Sequence, residues 1–179
     1  MPVLIEAISV ITRVDAINQK FPGGWEAFVD DCPNQTLCSD NALARVGFMS
    51  PVDVEYYIQR LERLGLIYQD DQQEAVDIVV VDQLRGPLAK CSWIETGHID
   101  LDNNPKQKVA AARLIGDESL VFMRPDDWNF EESLSNQYGF TPTESVEKSL
   151  TFLRHQDGLD VYLNKLTGEE VFIGRTGEK

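Results

Sequence analysis

Two segments, VGFMSPVDVEYYIQRLERLGL from Val46 to Leu66 and YGFTPTESVEKSLTFLRHQDGL from Tyr138 to Leu159, share one grammar. Each runs Gly-Phe, a hydroxyl residue, proline, an acid, an apolar stripe and Gly-Leu. This doubled phrase constrains the fold more than any other feature of the chain. Ser50 suits a helix N-cap, and Pro51 then falls at the first helical position, where its missing N–H costs nothing. Thr141, Pro142 and Glu144 repeat the arrangement as a capping box. Val54, Tyr57, Ile58, Leu61 and Leu64 recur at helical spacing in the first segment; Val146, Leu150 and Leu153 do so in the second. Gly65 and Gly158 suit the left-handed residue that ends a helix, with Leu66 and Leu159 placed to fold back on the last turn.

After each stop comes a strand-like pair: LIYQ and VDIVVVD around DDQQEA, then LDVYL and EEVFIG around NKLTG. Helix-plus-hairpin is thus expected twice, in lobes 1–103 and 104–179 of one compact domain 1–179, with the boundary near Asn103-Asn104-Pro105. The same outline describes a winged helix, whose recognition helix needs exposed cations. Here Asp53, Glu55 and Glu62 face Arg60 and Arg63, so the DNA reading fails on charge.

Residues 3–12 are apolar on both sides and suit an interior strand. VDAINQKF and GWEAFVDD read as short helices around Pro22-Gly23-Gly24. Residues 76–83 are a β-branched run, and AKCSWIETGHI reads as a strand with Cys91, Trp93 and Glu95 on one face. KVAAARLIG and SLVFMR are expected to pair around Gly116-Asp117, and a short helix near 128–137. Strands and helices alternate without βαβ regularity, which predicts an α+β fold: a largely antiparallel mixed sheet with two long amphipathic helices packed on one face.

The chain of 179 residues carries 30 acidic against 16 basic side chains, a formal net charge of −14. So anionic an exterior gains nothing from counter-ion release on phosphates, and the arginines are scattered; nucleic acid and anionic membrane are expected to be excluded as partners. A basic protein partner is allowed. Glu6 interrupts the apolar start, no run approaches the length of a membrane span, and three cysteines make no disulfide framework. A cytoplasmic location is the expectation.

No stretch spells a reaction. Asp100, Asp102 and Asn104 have the spacing of the first EF-hand ligands, but Pro105 and Ala111 stand where Gly and Glu are required, so the stretch reads as a solvated acidic turn. Cys91 and His98 could form a thiolate pair only if Gly97 turned the chain; a buried structural cysteine is the better account. His155 falls in the last turn of the second helix, facing its carbonyl end. No metal set, phosphate loop or nucleophile elbow is present, so no metal, cofactor or catalytic residue is assigned.

Two constellations remain. GDESLVFMRPDDWNFEES interleaves Phe122, Trp128 and Phe130 with acids, a mixture suited to anchoring and steering a basic partner through Asp126, Asp127, Trp128, Glu131 and Glu132. VDQLRGP ends a strand in groups that often rim pockets, which makes Asp82, Arg85, Trp93 and His98 candidates for a small-ligand wall. The first supports a non-catalytic interaction protein, for example an immunity-type inhibitor of a cationic toxin. The second supports a small-molecule-binding or hydrolytic enzyme with its cleft at the 82–98 strands.

Overall fold

A computed structural model of the chain describes residues 2–119 and 121–135 with their side chains, and the backbone of 150–156, 159–164 and 170–174. The apolar start does not run as one strand. β1 (Val3–Ile5) and β2 (Ile8–Arg13) part at Glu6 and Ala7, where Ala7 takes a left-handed backbone with φ 49° and the chain passes from one sheet to another. Helices α1 (Val14–Lys20) and α2 (Gly24–Asp30) follow on either side of the glycine turn. Next come β3 (Cys38–Ser39), β4 (Leu43–Phe48), α3 (Pro51–Arg63), β5 (Ile78–Asp82) and β6 (Gly86–Pro87). β7 (Ile94–Asp100) and β8 (Lys108–Leu114) form a hairpin whose connection contains Asn103–Pro105. β9 (Leu150–Gln156), β10 (Leu159–Asn164) and β11 (Glu170–Gly174) close the described chain.

Pairing is antiparallel in every ladder: β3-β4-β2-β5-β6, β1-β8-β7, and β11-β10-β9. The fold is α+β. Val10 sits opposite both Val46 and Val80, so three central strands present matched faces. Ile8, Val10, Val46, Phe48, Ile78 and Val80 point to one side, where they pack with Ile17, Phe28, Tyr57, Ile58 and Leu61 of the three helices. Ile11, Leu43, Val79 and Val81 point to the other and meet Val3, Ile5, Ile94, Val109 and Ala112 of the β1-β8-β7 sheet. A sheet buried on both faces reads as a continuous apolar run, which is why IVVVD does not alternate. β6 approaches β7, and β1 approaches β3 and β4, so the two sheets wrap one apolar core.

α3 ends as its sequence spells. Ser50 Oγ accepts from the Val52 N–H at 3.2 Å, and Pro51 opens the helix. At the other end Gly65, with φ 105°, donates to Glu62 O, and the Leu66 N–H donates to Leu61 O, both at 3.1 Å: a Schellman closure. Val54, Tyr57, Ile58 and Leu61 are buried, each contributing about 1.5–3 kcal/mol of transfer free energy. The following hairpin also forms, with Asp77 N–H donating to Ile67 O at 2.8 Å and Val76 N–H to Tyr68 O at 3.0 Å.

The second phrase folds otherwise. Leu150, Leu153 and His155 lie in β9, paired with β10, and not in a helix, so His155 meets no helix end. Residues 141–149, with the expected cap and Val146, lie outside the described residues, as does Gly158. The sequence contains the competing signal: Asp157-Gly158 is a strong two-residue hairpin dipeptide, and the register puts Gln156 opposite Leu159. The hairpin expected between KVAAARLIG and SLVFMR is also replaced. β8 pairs with β1 and β7, while Met123 bridges Val3 in parallel and exchanges main-chain bonds with Pro2 and Leu4 at 2.8 and 2.9 Å. Turns lead from Trp128 into helical residues at Leu134 and Ser135; the rest of the helix expected near 128–137 lies outside the described residues.

Candidate functional site

The crossover between the sheets puts a carboxylate under the surface. Glu6 is 8% exposed, and its oxygens accept from the Trp128 indole N–H, the Ser135 N–H and the Ser135 hydroxyl, each at 2.7 Å. One carboxylate thereby pins residues 128–135 against the sheets. Charge-assisted bonds of this kind are worth about 1.5–3 kcal/mol apiece, so the strained Ala7 beside it is well supported. Gln83 holds Ala7 from the other side: its side-chain oxygen accepts the Ala7 N–H, and its own N–H donates to Ala7 O, both at 2.9 Å.

Arg45 of β4 lies next to Glu6 and is 3% exposed. Its Nε donates to Ser9 Oγ (2.9 Å), Nη1 to Thr36 O (3.1 Å) and Nη2 to the main-chain oxygen of Glu6 (3.2 Å). All three acceptors are neutral. Gly47, two residues along the same strand, makes room for the guanidinium: a Cβ there would lie 2.8 Å from Arg45 Cζ and closer still to Nη2. Asn34 and Thr36 hold the Gly47 backbone, Nδ2 donating to its carbonyl and Oγ1 accepting its N–H, both at 2.7 Å.

Arg45, Glu6 and Gly47 form one wall of a cavity of about 730 Å³. The acid–aromatic stretch lines it too, through Asp126, Asp127, Trp128 and Glu132. The Trp128 ring meets Phe122 edge to face at 6.2 Å and carries the Arg124 guanidinium 5.8 Å from its centre. Asn129 fixes Glu132, accepting its N–H at 3.0 Å and donating to its carboxylate at 3.1 Å. Glu131 is exposed and is not part of the lining. Four of the five partner-binding candidates therefore converge.

The small-ligand candidates do not. Asp82 accepts the Leu84 and Arg85 N–H groups at 2.9 and 3.1 Å and lies 3.8 Å from the Arg85 side chain. These two line a groove of about 500 Å³ between α3 and β5, with Val54, Ile58 and Glu62. Trp93 is buried in the core between the sheets, its indole N–H donating to Ala75 O at 3.2 Å under the Arg13 guanidinium. His98 is exposed on β7 in a different hollow, of about 290 Å³, beside Glu95 and Arg113. Cys91 precedes the strand on which it was expected, and burial pushes its thiol above the ordinary range. A thiolate is disfavoured there. Burial likewise raises the Cys38 thiol, with Arg45 pulling the other way.

Glu6 and Arg45 escape a motif search because neither belongs to a motif. The signal is positional: MPVLIEAISV and ALARVGF each carry one charge inside an apolar strand run, and a strand buried on both faces buries that charge too. Among the described residues, no three His, Cys, Asp or Glu side chains are grouped to hold a metal, and no helix is long and apolar enough to cross a membrane. No family model, curated protein or solved structure matches the chain.

Proposed function

We propose that this chain is a non-catalytic interaction protein whose acidic cleft receives a basic segment of another protein, as an immunity-type inhibitor would receive a cationic toxin. The observation that carries this reading is the convergence of Asp126, Asp127, Trp128 and Glu132 on one cavity. The carboxylates steer a cation in, and a Trp held by Glu6, Phe122 and Arg124 offers a rigid anchor at little entropic cost. The formal net charge of −14 extends that steering beyond the cleft and disfavours phosphate-bearing partners. Three cysteines outside any disulfide fit a cytoplasmic setting.

The test is charge reversal. Binding of a fluorescent lysine- and arginine-rich peptide is followed by anisotropy at low salt for the parent and for Asp126→Lys/Asp127→Lys. The double variant is expected to bind at least about tenfold more weakly, with most of the loss in association rate. Equal affinity would mean that the acids merely keep the surface wet.

A further inference from the structure

The cleft carries a second, opposite charge at its base. A guanidinium has five N–H donors, and Arg45 gives three of them to neutral oxygens of Ser9, Thr36 and Glu6. Among the described residues no carboxylate lies within ion-pair distance of it, although it is 3% exposed. The neighbouring Glu6 carboxylate accepts from Trp128 and Ser135 and makes no ion pair with it. A buried cation with no counter-charge is costly, and an incoming anion removes that cost. Gly47 is the accommodation that keeps the cation at the cavity wall: any side chain there would displace it.

The cavity therefore carries, beside the bonded Glu6 carboxylate, a guanidinium whose close acceptors are all neutral oxygens, and in addition the acids Asp126, Asp127 and Glu132. A purely cationic segment satisfies only those acids. We infer that the partner segment enters by its C-terminal carboxylate, received by the Arg45 guanidinium, with its basic side chains following against the acids. Planar carboxylate recognition is what a guanidinium fork does best. A chain end suits so deep a donor, because a side-chain carboxylate would require main chain to pass both into and out of the site. The inference rests on the acidic-cleft reading above and adds to it the polarity with which the segment lies.

The test compares one eight-residue peptide of lysine, arginine and leucine, labelled at its N-terminus, with its C-terminus either a free acid or an amide. Long-range attraction to this chain favours the amide, which is one charge more positive. An Arg45 subsite favours the free acid, by about tenfold or more for a charge-assisted contact. Tighter binding of the free acid, with the preference lost in Arg45→Gln, is the expected result. Equal or tighter binding of the amide overturns the inference while leaving the acidic cleft standing, and failure of both peptides to bind overturns the two together. The peptide pair is measured on the unaltered chain, so the comparison holds even where Arg45→Gln folds poorly. A free-acid preference that survives in a folded Arg45→Gln would also overturn it.

Discussion

Tyr57 and Arg45 are both buried polar side chains, and their consequences differ because only the first is neutral at ordinary pH. Tyr57 packs in the helix-side core against Phe48, with ring centres 5.2 Å apart. Burial, and then Cys32 and Asp31 nearby, lift its phenol well above the ordinary value near 10, against a smaller pull from Arg60. In the unfolded chain the phenol ionises at that ordinary value; in the folded chain it keeps its proton. Above about pH 10 the folded state thus binds more protons than the unfolded, and stability falls as pH rises toward the folded value. Below pH 10 Tyr57 contributes its full share. Tyr57→Phe should remove one proton from this linkage, shallowing the loss by about 1.4 kcal/mol per pH unit. Urea melts between pH 9 and 11 read it, and an unchanged slope would mean the phenol titrates normally. Arg45 has no such escape: it keeps its charge and is held by the neutral oxygens of Ser9, Thr36 and Glu6. Both charges of the cleft were legible in principle as single ions inside apolar strand runs. What sequence cannot supply is which ions meet, since Glu6 and Ser135 are brought together across most of the described chain.

At the scale of elements, local grammar was decisive where nothing opposed it. α3 carries its own start and stop, and each is a contact within five residues. The stop does more than the start, because a Cβ on Gly65 would lie 3.1 Å from the carbonyl oxygen of Lys20, the last residue of α1. Ser50→Ala should therefore cost about 1 kcal/mol, the usual worth of a cap. Gly65→Ala combines left-handed strain with that close approach and should cost more, about 1–3 kcal/mol. Denaturant midpoints of the two variants rank them, and the reverse order would show that α1 and α3 close without the glycine. Residues 150–156 spell a helix stripe just as plausibly, yet their partner is the strand that follows. Helical spacing is a weak prior: when the segment that follows can supply a ladder, with Gln156 opposite Leu159, the ladder prevails. Likewise β8 pairs with β1, about a hundred residues away, and not with the segment that follows it, because a wholly apolar VLI strand buries more beside the alanines than a mixed one would.

For the whole molecule, the acids thought to bind a partner are also a burden on the fold. A net charge of −14 on 179 residues repels itself, and the repulsion weakens as salt shortens the screening length from about 30 Å at 0.01 M to about 8 Å at 0.15 M. The melting temperature should accordingly climb over that range by a few degrees, since about 1 kcal/mol shifts a chain of this size by roughly 2–4 °C. Asp126→Lys/Asp127→Lys brings the net charge to about −10 and relieves repulsion where Glu131 and Glu132 crowd the same segment. If these carboxylates are kept for a partner, the reversed chain should melt higher than the parent at 0.01 M salt, converge with it at 0.15 M, and lose its basic ligand throughout. Were the acids structural instead, holding residues 124–135 on the sheets, reversal would lower the melting temperature at every salt concentration. Differential scanning calorimetry of two proteins at two ionic strengths separates the cases. The contacts bear on one half of that comparison: Glu6 secures the segment through Trp128 and Ser135, and none of those three bonds involves Asp126 or Asp127.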